Sequence, residues 1–219
     1  MSLFDEIDLE DLSTQAPWPS ATADLHAEDP DWWYVACLGW SHDGWLGYVS
    51  GYRKAAGVLV EHMGRKRQHL DILIFPFLMC WRHYVELQLK ALIGLLQKYE
   101  GEAFDIPRGH KVDQLWRDAR RRLERAGVEE AEDLDHVERV LLQLSHLDPT
   151  AQSFRYPIDV KGHRTLEGTT RLHTRRFQEA MEAVANFLDA ADTGFRCELD
   201  VRTDYQADME AYYRDAAGW

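Results

Sequence analysis

Between Phe77 and Leu96, apolar side chains occur on nearly every side of what the spacing predicts to be one helix within residues 68–99. A helix that is apolar all round has to be enclosed by other elements, so this segment predicts a central helix and a fold built around it. Pro76 stands near its start and either opens the helix or kinks it. One narrow stripe breaks the apolar surface. At about 100° per residue, Arg82, His83, Glu86 and Lys90 fall within roughly a quarter of the circumference. Arg82–Glu86 and Glu86–Lys90 are i,i+4 pairs, so the charges can satisfy one another. Ionisable groups on so apolar a helix must be paired or line a cleft. Two readings follow: a buried network tying the helix to Arg155 or Asp148, or a site for chemistry.

The remaining chain reads as helices that could enclose the central one. Asp43 is placed to cap a helix running to about Gly64, with Leu46, Val49, Ala56, Leu59 and Val60 inward. A loop from Gly101 to Gly109 leads to a helix over His110 to Ala126, burying Val112, Leu115, Trp116, Ala119 and Leu123. Its outward stripe is Arg117, Arg121 and Arg125. Another helix, Glu129 to Leu147, buries Leu134, Val137, Leu141 and Leu144. Ser153 to Asp159 reads as extended or hairpin-like, because the residue before Pro157 avoids helix and Gly162 marks a reversal. A helix over Thr170 to Ala191 buries Phe177, Met181, Val184 and Leu188, and Asp204 caps a short last helix through Tyr213. The fold class expected is therefore all-α, with a short insert near residues 153–165.

Charge divides the chain further. The net charge is −13, but residues 1–33 hold nine acids and no Lys or Arg, whereas residues 34–178 sit at +3. The organisation expected is an acidic arm over 1–31, a helical domain over 32–191 and an acidic extension with a short helix over 192–219. The arm alternates acids with Leu, Phe and Ile, with a short helix at Leu3 to Leu12; such a pattern is either an unstructured leader or a docking segment for a protein partner. Trp32, Trp33, Tyr34, Trp40 and Trp45 cluster after it and suit a core or a dimer interface. The mildly basic middle leaves nucleic-acid binding open.

Other classes have no support. The start, Met1 to Asp11, is acidic, unlike a secretory signal. The longest apolar run, Ile72 to Trp81, falls short of the roughly 20 residues of a membrane span. Cys37, Cys80 and Cys197 are scattered, which fits free thiols in a reducing cytoplasm. Ten His occur without H-E-x-x-H or C-x-x-C spacing, and no Gly-rich phosphate loop appears, so neither a metal nor another cofactor is expected.

Three segments in order, Trp81-Arg-His-Tyr-Val-Glu-Leu-Gln-Leu-Lys90, Gly109-His-Lys-Val-Asp-Gln-Leu-Trp116 and Phe154-Arg-Tyr-Pro157, resemble the HEPN superfamily over about residues 68–190. The resemblance implies an antiparallel four- to five-helix bundle that dimerises. It also implies a bacterial defence or toxin–antitoxin setting, with RNA as the molecule bound or cut without metal. The family's catalytic pair is an Arg and a His with four to six residues between them; here Arg155 and His163 have seven residues between them, and Arg82 and His83 are adjacent. Metal-independent RNA cleavage needs an acid, a base and cations around the phosphate. Arg82, His83, Glu86, Arg155 and His163 are the catalytic candidates, with His110 and His146 as further acid–base groups. Lys90, His110, Arg117 and Arg121 are candidates for holding substrate, joined by Arg171, Arg175 and Arg176 if the two helices are neighbours. The competing expectation is a non-catalytic module that binds a protein partner through the acidic arm.

Overall fold

The computed structural model describes residues 18–19, 21–26, 31–39, 44–129 and 131–217. Among them are five α-helices and no strand: α1 (Trp45–Arg65), α2 (Leu70–Tyr99), α3 (Val112–Arg125), α4 (Ala131–Leu147) and α5 (Thr174–Ala217). The all-α expectation therefore holds. The chain forms two compact units, Met1–Trp40 and Ser41–Trp219.

In the first unit the described residues contain one 3-10 turn, Trp32–Tyr34, closed by Asp31, whose carboxylate accepts from the Trp33 N–H at 3.3 Å. Trp32 and Trp33 stack with ring centroids 4.3 Å apart, yet they are 67% and 76% exposed. Trp32 and Trp33 therefore do not enter a core. The helix expected at Leu3 to Leu12, Trp40, and the expected cap Asp43 lie outside the described residues.

In the second unit α2 is the centre. It packs against α1, α3 and α5, and α4 packs against α3 and α5. Trp81, Tyr84, Leu89, Leu92, Ile93 and Leu96 are almost fully buried, as a helix apolar on all sides demands. Pro76 lies inside α2, near its start, so it neither opens nor ends the helix. Gly94 is required where it stands: a Cβ there would lie 2.2 Å from the Phe104 ring, which the loop after α2 lays against the helix.

The flanking helices bury the expected faces of α3 and α4 in full. On α1, Val49 and Ala56 are buried, but Leu46 is 51% exposed while Met63 is 1% exposed. The inward face thus lies further along the helix than expected. Gly44, in the left-handed conformation at φ 69°, occupies the N-cap position of α1.

The largest departure is α5. The expected break after Ala191 does not occur, and Thr174–Ala217 is one helix of 44 residues, about 66 Å long at 1.5 Å per residue. Packing carries it through Gly194. Phe195 meets the Tyr99 ring edge-on at 4.8 Å, and Arg202 lies over the same ring at 4.0 Å and donates to its hydroxyl at 2.6 Å. Between α4 and α5, Ser153–Arg155 forms a turn and not an extended segment. Asp148 sets that turn, accepting the Gln152 and Ser153 N–H groups at 2.7 and 2.8 Å. Beyond it, a single antiparallel bridge joins Ile158 to Arg164 across Gly162, at φ 85°.

Candidate functional site

The polar stripe of α2 closes upon itself. Glu86 Oε1 accepts from Lys90 Nζ at 3.0 Å and from His110 Nδ1 at 2.7 Å, while Oε2 accepts from Arg82 Nη1 at 3.2 Å. Arg82 also donates through Nη2 to the His110 carbonyl. Its Nε stands 3.7 Å from Asp148 Oδ2, too far for a hydrogen bond, so these two buried atoms face one another without a hydrogen-bond partner among the described residues. The side chains of Arg82, Glu86, Lys90 and Asp148 are 3, 6, 10 and 1% exposed. Two cations and two carboxylates thus balance inside the protein. Of the two partners expected for such a network, Asp148 is the one found.

The electrostatics follow from this enclosure. Burial pushes the Glu86 carboxyl up, but the hydrogen bonds from His110 and Lys90 and the charges of Lys90 and Arg82 outweigh it and hold the group below its usual range. Burial lowers the Arg82 guanidinium, with Glu86 and Asp148 opposing. His83 leaves the network: its ring meets Tyr52 of α1 edge-on at 4.4 Å, and burial lowers its pKa.

The other candidates are on the surface and are not drawn together. His110 is the one that touches the network; its side chain is 68% exposed. With Nδ1–H donating to an ionised Glu86, the ring is held as the tautomer whose Nε2 can accept a proton. Arg155 is exposed and donates through Nε to the Ala151 carbonyl at 2.9 Å, pairing with neither Glu86 nor Asp159. His163 is also exposed and binds Asp159, its ring nitrogen 3.3 Å from the carboxylate. His146 is exposed on α4. Arg117 pairs with Asp113 at 3.8 Å and Arg121 with Asp118 at 3.2 Å. Other arginines of α3 are paired too: Arg120 with Glu124, Asp135 and Glu138, and Arg122 with Glu100 and Glu102. The basic face of α3 is therefore compensated by acids. Arg171, Arg175 and Arg176, by contrast, make no ion pair among the described residues.

Two features escape the sequence reading. A second polar network links α1, α2 and α5: Arg53 binds Glu182 and Asp189, and the Tyr84 hydroxyl donates to Asp189 at 3.1 Å. Each bonded pair lies more than a hundred residues apart in the chain, so no local spacing could have joined them. There is also a cleft of about 1000 Å³ between α1, the start of α2 and the start of α5, with Met63, Ile74, Leu78 and Phe154 among its apolar lining. None of Arg82, His83, Glu86, Lys90, His110, Arg117, Arg121, Arg155 or His163 lines it. Of the candidate cations, Arg171 and Arg175 do line it, so the cavity is separate from the α2 stripe but not from every candidate residue.

Among the described residues no group of three His, Cys, Asp or Glu could hold a metal ion, and no helix is long and apolar enough to cross a membrane. The chain matches no family model, no curated protein and no solved structure.

Proposed function

We propose that the protein is a non-catalytic, partner-binding helical module, of the antitoxin-like kind that a HEPN relationship would include, working as a homodimer in the cytoplasm. The observation that carries this reading is the closure of the polar stripe. Arg82, Glu86 and Lys90 pair with one another and with Asp148 inside the protein, all at least nine-tenths buried, so these two cations are withheld from a phosphate. The surface offered for binding lies elsewhere, beginning with the aromatic pair Trp32–Trp33 and the acidic arm that precedes it.

The test compares the full chain with one lacking residues 2–31. Cross-linked partner proteins retained by the full chain should be lost on deletion, while the unfolding transition stays where it was. A shortened chain that retains the same partners contradicts the reading.

A second reading, binding or metal-independent cleavage of RNA, has one observation in its favour: the exposed His110 ring is oriented by Glu86 as an acid–base group would be. Incubation with structured and single-stranded RNAs in EDTA separates the two. Under the partner-binding reading RNA stays intact; cleavage that His110→Ala or Arg155→Ala abolishes would establish the ribonuclease instead.

A further inference from the structure

The last turns of α5 carry an apolar stripe that is exposed at Val201, Tyr205, Tyr212 and Ala216 and half-buried at Met209. At about 100° per residue, Val201, Tyr205, Met209, Tyr212 and Ala216 fall within an arc of roughly 80°. Val201, Tyr205 and Tyr212 are 67, 64 and 67% exposed. This is not the core seam continued. Phe195 and Leu199, which do pack inward, lie about 80° and about 120° round the helix from the middle of the stripe.

One edge of the stripe is acidic. Asp200, Asp204, Asp208 and Asp215 follow it within a similar arc, and none of them has an ion-pair partner among the described residues. That contrasts with α3, where Arg117, Arg120, Arg121 and Arg122 are all matched by acids. Over residues 198–217 six acids face two arginines, and one of these, Arg202, is held by Glu198 and Tyr99. The uncompensated charge therefore belongs to the stripe.

Resting on the partner-binding reading, we propose that this face of α5 docks a basic amphipathic helix of another protein. Exposed apolar residues at i, i+4, i+11 are the anchors such a helix reads, and lysines or arginines flanking its own apolar stripe would meet the aspartates. Charge rules against the alternatives. Two copies paired antiparallel about a two-fold axis set the same edge of each helix together, aspartate against aspartate. Paired parallel, the acidic edge would meet Arg202, which is already engaged. Nucleic acid and anionic lipid are repelled outright. The stripe from Val201 to Ala216 spans about 22 Å, so a partner helix of four turns covers it.

The probe is a labelled synthetic helical peptide of about 18 residues, a leucine stripe flanked by lysines, titrated against the full chain and followed by fluorescence anisotropy. The same leucine stripe flanked by glutamates is the comparison. The lysine peptide should bind about tenfold or more tightly than the glutamate peptide, and its affinity should fall with added salt. Tyr205→Ser with Tyr212→Ser should weaken it by a similar factor, and Asp204→Asn with Asp208→Asn should weaken it and flatten the salt dependence. All four positions are exposed, so circular dichroism should show the helix content retained. Equal binding of both peptides, binding that ignores the tyrosines, or no binding overturns the proposal. So does a dimer in sedimentation equilibrium that the tyrosine variant loses, which would assign the face to a second copy. A failed titration alongside arm-dependent partner capture would sink this face alone and leave the partner-binding reading standing.

Discussion

Glu86 is the residue on which the interior turns. Its two oxygens accept from three side chains on two segments, and its ionised form is what keeps Arg82 and Lys90 tolerable inside the protein. The i,i+4 spacing on an apolar helix made the stripe legible, and Asp148 stood among its expected partners. The attachment of His110 was not legible, because the path of the loop before it obeys no periodicity. Two groups give the stability a pH dependence whose sign can be worked out. His83 has its pKa lowered by burial, so below pH about 6.5 the unfolded chain takes up the proton first and stability falls. Glu86 lies below its usual range, so its contribution is complete above pH about 4.3 and is lost as pH drops through the lower native value. Urea midpoints measured from pH 8 down to pH 4 should fall in the upper limb for the wild type and less steeply for His83→Gln. Identical slopes between pH 7 and pH 5 would contradict the assignment to His83.

At the scale of elements, the buried faces of α3 and α4 follow from their periodicity alone, since each buries one clean apolar face. For α5 local propensity misleads. The expected helix ends at Ala191, three residues before Gly194, yet Phe195 and Arg202 fasten the next turns to Tyr99 at the end of α2, and tertiary packing carries the helix through the glycine. Gly194 has open space where a Cβ would go. Gly194→Ala should therefore stabilise the protein by about 0.5–1 kcal/mol, read as a rise in urea midpoint. Gly194→Pro should reduce the helical circular dichroism signal. A destabilising alanine would mean that the helix is broken there. The arginine stripe of α3 carries a further lesson. Its outward position was legible, and Arg117 and Arg121 pair with Asp113 and Asp118 of the same helix, but the acids that hold Arg120, Arg122 and Arg125 come also from α4 and from the turn after α2, which no pattern within the helix announces.

For the whole molecule, the central helix, the packing of the other helices round it and the acidic ends were readable from the order of apolar stripes and charges. The cleft beside the start of α5 and the Arg53–Asp189 network were not, since both depend on which ends of distant helices meet. Closure of the α2 stripe makes these buried charges a matter of stability, and the proposed partner binding would then fall to the outer surfaces. Its most direct test is urea unfolding of Glu86→Gln beside the wild type. Leaving two buried cations without their carboxylate should cost about 3–5 kcal/mol with an unchanged denaturant slope. A variant as stable as the wild type, or more stable, would contradict closure and mark the stripe as a site kept for chemistry.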